Sequence, residues 1–399
     1  MSHLTIDKPE QLKSLIGRLE KSSWAAIDTE FISESRYAAE LCLVQIAYED
    51  EIALIDPLHM RTDDLAKFWT VLCDNVGEVI VHACRSEMEF CFRSIGRLPK
   101  RFFDVQLAAG FVGVAYPAAY RDLLERVLHV RLEKSETRTN WKQRPLSPLQ
   151  IDYALDDVRH LRQMADILQK RLRELKRLEW YYDENAAVSK YLITSFSEPK
   201  WRSLARSGGM KPLELAIMRD LFMLRDGVAR RLNKVPGWIL RDDLIVELAR
   251  RATADPKRVA SIRGVTEKHQ LFREIVDTIA RTINAPPTSY PQPSRNLSYP
   301  KYDAIVQFLY AALTSLSLTE GVHYQIVGSQ SDVRDMVAAT LGTLPEGVTP
   351  RLLHGWRAEL AGELLHDLLN GKTAIRLTSE NPDSPVELIP VKDDGNFGI

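Results

Sequence analysis

The sequence predicts an α/β domain, a mixed sheet flanked by helices, followed by all-α helical bundles. Three observations predict it. Strand-like apolar runs crowd into roughly the first 175 residues, whereas the pattern from Ser147 onward is helical. Three strands come in succession before strands and helices begin to alternate, which implies a sheet with both pairing senses. Two segments rich in Pro, Gly and Ser, 194–212 and 285–300, divide the helical part.

The elements follow in order. A helix over Gln11–Leu19 leads into Trp24–Asp28, a short apolar run suited to a buried strand. Leu41–Tyr48 and Ile52–Asp56 are strands joined by the acidic turn Glu49-Asp50-Glu51. Leu65–Leu72 is helical, Val79–His82 is a fourth strand, and helices follow at 86–95, 105–112 and 120–128. Ser147-Pro148-Leu149-Gln150 supplies a capping hydroxyl, proline at the first helical position and glutamine three residues after the cap. The helix it starts is expected to reach about Lys176, with another at 178–190. Residues 213–283 read as a compact helical module with periodic segments at Leu213–Leu232, Trp238–Ala252, 255–261 and 267–282. The tail is helical over 301–370 and ends in two β-like stretches, Thr373–Thr378 and Val386–Ile389.

Composition narrows the class. At 399 residues with 45% apolar and 27% charged side chains, the chain suits two or three globular domains. It has no apolar run of membrane-spanning length and no basic-then-apolar N-terminal pattern, so a cytoplasmic location with no membrane partner is expected. Cys42, Cys73, Cys84 and Cys91 form no Cys-x-x-Cys pair and read as buried reduced thiols. A net charge of −1 argues against a purely electrostatic nucleic-acid binder. The average conceals a gradient, since 211–285 carries an excess of about five positive charges and the segment after Pro286 a similar acidic excess.

Chemistry concentrates at three places. Asp28 and Glu30 flank Thr29 at a strand end, so alternation puts both carboxylates on one face. They repel there, and a hard divalent cation, Mg²⁺ or Mn²⁺, is the natural counter-charge. Tyr153 and Asp157 lie four apart on a helix, one turn from each other, where a carboxylate and a phenol can bind metal and orient water. Asp156 points elsewhere. Glu87 falls in the first turn of a helix that follows a strand. Each alone has an ordinary structural reading: a solvated strand end, a packed tyrosine beside a surface acid, an acid favoured by the helix dipole.

Together the three places resemble the ribonuclease D family of the DEDD exonuclease superfamily, in its tyrosine-bearing branch. Asp28-Thr29-Glu30-Phe31, Tyr37 and Leu41-Cys42-Leu43-Val44-Gln45-Ile46 resemble the family's first exonuclease motif. His82-Ala83 through Glu87, Leu98-Pro99 and Phe103-Asp104-Val105-Gln106 resemble the second. Lys134 to Trp141, Arg144-Pro145-Leu146 and Tyr153-x-x-x-Asp157 resemble the third. The resemblance covers residues 5–175 and implies a ribonuclease H-like exonuclease domain. It further implies 3′→5′ exoribonuclease activity with two divalent ions, held by Asp28, Glu30, Glu87 and Asp157, and Tyr153 orienting the water. At Glu87 the family has aspartate; the extra methylene shifts the carboxylate by about one C–C bond, and misplacement near 1 Å can cost on the order of 10²-fold.

Lys134, Arg138, Lys142 and Arg144 surround Trp141 and read as phosphate contacts beside a stacking aromatic, or as a solvated loop with one core tryptophan. Arg85 suits either a phosphate or the carboxylate cluster, His82 a structural role and Asp104 a helix cap. Val228 to Leu244 and Ile262 to Val265 resemble the HRDC domain, a helical bundle that commonly assists nucleic-acid binding. In it Arg230, Arg231, Lys234 and Arg241 are candidate phosphate contacts or a solvated face, and Trp238 is read as a core anchor.

The division expected is an exonuclease domain at 1–177, a helical linker at 178–209, an HRDC domain at 210–285, a Pro-rich linker at 286–300 and a second HRDC-like module at 301–399. The expected partner is RNA with a single-stranded 3′ end, transfer-RNA precursors by the resemblance, with no small-molecule cofactor. Two alternatives stand beside this reading: a DEDD-type DNA exonuclease, and an RNA-binding protein catalytically weakened by Glu87.

Overall fold

The computed structural model describes residues 3–132, 139–207, 209–265, 267, 270–293, 302–344, 347–377 and 386–391. Its centre is a six-stranded mixed sheet in the order β1-β4-β3-β2-β5-β6. The strands are β1 (Leu4–Ile6), β2 (Ala25–Ile32), β3 (Glu40–Tyr48), β4 (Glu51–Ile55), β5 (Val79–Val81) and β6 (Phe102–Asp104). β2 pairs antiparallel with β3 and parallel with β5, so it lies inside the sheet where its Ala25-Ala26-Ile27 run is fully buried. Sequence periodicity does not reveal β1 and β6, because three residues are too few to show alternation.

Helices cover both faces. α1 (Pro9–Leu19), α2 (Thr62–Asp74) and α3 (Arg85–Ile95) pack Leu12, Leu15, Phe68, Trp69 and Met88 against Ile27, Val44 and Ile46. On the opposite face lie α4 (Val105–Phe111), α5 (Tyr120–Leu123), α6 (Pro148–Arg159) and α7 (Leu161–Glu174). Phe111, Ala154, Val158 and Leu161 meet Ala26, Leu43 and Leu54 there. The expected capping box starts α6: the Ser147 hydroxyl accepts from Gln150 N at 3.2 Å, and Gln150 Oε1 accepts from Ser147 N at 2.9 Å. The expected single helix to Lys176 breaks at His160, because α6 crosses β2, β3 and β4 whereas α7 turns to pack on α4 and β5.

α8 (Leu178–Ser197) leads out of this domain. Next, α9 (Pro212–Leu232), α10 (Pro236–Ile239), α11 (Asp242–Arg251), α12 (Pro256–Ala260) and α13 (Phe272–Ile283) enclose a separate core of Leu215, Met218, Leu221, Ile245, Leu248 and Ile275. Tyr37, just beyond β2, reaches this bundle and donates to Asp226 at 2.8 Å.

The tail helices α14 (Asp303–Thr319), α15 (Tyr324–Val327), α16 (Gln330–Thr340), α17 (Gly355–Arg357) and α18 (Glu363–Leu369) precede an antiparallel pair, β7 (Thr373–Leu377) and β8 (Val386–Pro390). Their core is continuous with that of the α/β domain: Leu313, Met336 and Trp356 join Phe111 and Tyr181. The Trp356 ring lies 5.1 Å from Phe111 and stacks 5.6 Å from Trp180. All four cysteines are free and buried, as expected. Among the described residues no helix is long and apolar enough to cross a membrane.

Candidate active site

β2 presents Asp28 and Glu30 to α6, and α6 returns Asp157 to them. One carboxylate oxygen from each of the three lies within 4.8 Å of the others. Burial pushes Asp28 up to about 6, against a lowering bond from the Thr29 backbone. Burial and then the Asp28 charge push Glu30 up to about 8. Burial, Asp28, Glu30 and Asp156 push Asp157 up to about 9. None of the ion pairs among the described residues involves any of the three, and Asp157 Oδ2 is buried without a hydrogen-bond partner. Asp156, one residue away, turns instead to Arg159 at 2.5 Å. Three crowded oxygen donors, one of them orphaned, fit a hard divalent cation.

Two phenols face this cluster. Tyr153 sits one turn before Asp157, its hydroxyl pKa raised by burial and then by Asp157, Glu30 and Asp28. Tyr120 was not anticipated from the sequence: burial and then Asp157 and Asp28 raise its pKa, and its hydroxyl donates to Asp156 O at 3.0 Å. The helix expected at 120–128 is present as α5 and a π-helical turn over Leu124–Leu128, but nothing in its spacing ties Tyr120 to the carboxylates.

Glu87 stands apart from the group of three. It is 3% exposed and its Oε1 accepts from the Thr29 hydroxyl at 2.7 Å. α3 approaches β2 from the Thr29 side, and the longer glutamate arm ends on that hydroxyl. The expected set of four carboxylates is thus a set of three with a neighbour: burial first, and Asp28 second, push Glu87 up to about 8. Asp104 caps α4 through Gln106 N at 2.9 Å and also accepts from Ala83 N (3.1 Å) and Cys84 N (3.0 Å), which fixes the start of α3.

Residues 4–173 match the family model described as a 3′-5′ exonuclease, and residues 214–283 match that of the HRDC domain. Ribonuclease D of Acidiphilium cryptum is 31% identical over 376 residues, 93% of this chain and 94% of that protein. The chain belongs to the ribonuclease D family. Ribonuclease D of Nitrobacter hamburgensis is 29% identical over 371 residues. The crystal structure of Escherichia coli RNase D, described as an exoribonuclease involved in structured RNA processing, superposes with a TM-score of 0.79 at 25% identity, covering 93% of this chain and 99% of that one. As a ribonuclease D the protein is a 3′→5′ exoribonuclease, a metal-dependent hydrolase acting on RNA.

The candidate RNA contacts fare unevenly. Lys134 and Arg138 lie outside the described residues. Trp141 is 6% exposed and packs 5.9 Å from the Tyr153 ring, so it is a core residue and not a stacking platform. Arg144 pairs with Asp56 and donates to Cys42 O and Trp141 O at 2.7 Å each, tying its loop to β3. Lys142 meets Glu40 at 3.0 Å. Arg85 turns away from the carboxylates to lie 5.5 Å from the Phe196 ring. His82 is structural, its Nε2 2.9 Å from Ala118 O.

In the HRDC bundle, Arg230 is held by Tyr37 (3.1 Å) and Asp226 (3.3 Å), and Arg241 by Asp243 at 2.9 Å. Arg231 and Lys234 are exposed, and no ion pair among the described residues engages them. Trp238, expected in the core, is 64% exposed, because the short α10 buries Ile239 and leaves its neighbour outside.

Proposed function

We propose that this ribonuclease D removes nucleotides from single-stranded RNA 3′ ends, transfer-RNA precursors among them, with two divalent ions held around Asp28. The observation that carries the reading is the convergence of Asp28, Glu30 and Asp157 with an orphaned Asp157 oxygen. Mg²⁺ or Mn²⁺ bound there supplies charge for the phosphate and leaving oxygen and lowers the pKa of water. Asp28, Glu30 and Asp157 would hold the first ion. Asp28 and Glu87 would hold the second.

The raised pKa of Tyr153 keeps it a neutral phenol, which suits it to orient the attacking water by hydrogen bonding rather than to remove its proton. Burial of the cluster strengthens every charge interaction within it. Arg231 and Lys234, the exposed cations of the HRDC face, take the phosphates upstream of the cleaved end. A cytoplasmic location completes the reading, the precursors being made there.

The test is shortening of matched single-stranded RNA and DNA, and of a precursor transfer RNA with a 3′ trailer, in Mg²⁺, Mn²⁺ or EDTA. RNA shortened from its 3′ end, with loss of activity in EDTA and in Asp28→Asn, is the expected result. Faster DNA degradation favours the DNA exonuclease, and binding without hydrolysis favours a silent RNA-binding protein.

A further inference from the structure

Gln45 lies in the middle of β3, directly across the antiparallel pair from Asp28. Its residue is 0% exposed, and neither Nε2 nor Oε1 has a hydrogen-bond partner. Alternation puts it on the Asp28 face of the sheet, among Leu43, Ala47 and Leu54, beneath α6. Native interiors pair roughly 90% or more of their buried polar groups. An unpaired one forfeits its contact with water and gains nothing in return, so an apolar side chain of equal size would serve the sheet better. Packing therefore does not account for the amide.

What it can serve is fixed by what surrounds it. Paired positions in an antiparallel sheet hold their Cβ atoms about 4.5–5.5 Å apart, within reach of a glutamine arm for a neighbouring carboxylate. A carboxamide NH₂ offers two donors, and an ionised carboxylate offers about four acceptor positions. Asp28 belongs to the group of three carboxylates with oxygens within 4.8 Å of one another, and a donor beside it fixes which of its oxygens faces the other two. The terminal torsions of Asp and Gln are broad, and a rotation about either brings the two groups together without moving the strands.

We propose that Gln45 is a positioning residue: its amide donates to the ionised Asp28 carboxylate and fixes the orientation in which that carboxylate takes a divalent cation. This rests on the metal reading of Asp28, Glu30 and Asp157 given above. Outer partners of ligating groups typically contribute 10–100-fold to metal affinity.

The experiment is calorimetric titration of the full chain with Mn²⁺, wild type against Gln45→Met, which keeps the length of the arm and removes the donors. Thermal melts in EDTA accompany it. The expected result is Mn²⁺ affinity weaker by about 10–100-fold, with a melting temperature in EDTA equal to or above that of wild type because an unpaired buried amide is gone. Gln45→Leu repeats the measurement with a differently shaped apolar side chain. Unchanged Mn²⁺ affinity in both variants overturns the proposal, as does a lower melting temperature in EDTA, or failure to fold, in both. If wild type itself takes up no Mn²⁺, the metal site fails, and the inference about Gln45 fails with it.

Discussion

Two buried acidic centres in this molecule solve the same electrostatic problem in opposite ways. Glu184 on α8 receives Arg357 at 2.6 Å and Arg351 at 3.3 Å, and Arg357 also donates to Val327 O and Ile326 O at 2.9 Å each. Asp28, Glu30 and Asp157 have no such partners: burial raises the pKa of all three, and the Asp28 charge raises those of Glu30 and Asp157 further. Where acid is paired from within the chain it fastens the tail helices to the α/β domain. Where it is left uncompensated, a cation from outside is required, and the stability forgone there marks the functional site.

That contrast can be broken most severely at the carboxylates. Asp157→Asn or Asp28→Asn should lower RNA hydrolysis by at least about 10³-fold, the scale on which one member of a catalytic unit acts. The same variants should melt higher than wild type in EDTA, since a carboxyl that must take up a proton or be ionised at a cost on folding is gone. Arg357→Leu should do the reverse: a loss of about 3–5 kcal/mol in denaturant unfolding, with the specific activity of the folded fraction kept. If both variants moved stability in the same direction, the distinction between the two centres would be wrong.

pH sharpens the comparison. Glu30 and Asp157, raised to about 8 and about 9 in the fold, hold protons that the unfolded chain has released by near neutral pH. In EDTA, stability is therefore fullest below the unfolded carboxylate range and is lost as pH climbs through about 8 to 9. Melts between pH 5 and 9 should show that fall in wild type, a smaller one in Asp157→Asn, and its removal by Mn²⁺. Glu87→Gln, which keeps an acceptor for Thr29 but takes a carboxylate from the second ion, should cost activity by about 10²-fold. The smallest effect belongs to the HRDC face, where Arg231→Ala and Lys234→Ala should each reduce the salt dependence of RNA binding by about 0.7 in log–log slope.

Much of this was legible in the sequence, for reasons that also show where legibility ends. Alternation at Asp28 and Glu30 and the four-residue spacing of Tyr153 and Asp157 are local, and local geometry carried them to one place. The mixed sheet followed from the order of its longer strands. Side chains judged by their neighbours in sequence did less well. Trp141 sits among basic residues yet is buried, and Trp238 follows an apolar pattern yet is exposed, because burial is decided by which other element covers a position. The partners of Glu87 and Arg230 come from distant segments, Thr29 and Tyr37, and no spacing rule connects them.

The most direct measurement is an anomalous difference map from crystals soaked in Mn²⁺, for wild type and Asp157→Asn. A strong peak between Asp28, Glu30 and Asp157 in wild type, lost in the variant together with RNA hydrolysis, is the predicted result. Manganese bound elsewhere while these three carboxylates remain bare in an enzyme that still degrades RNA would contradict it.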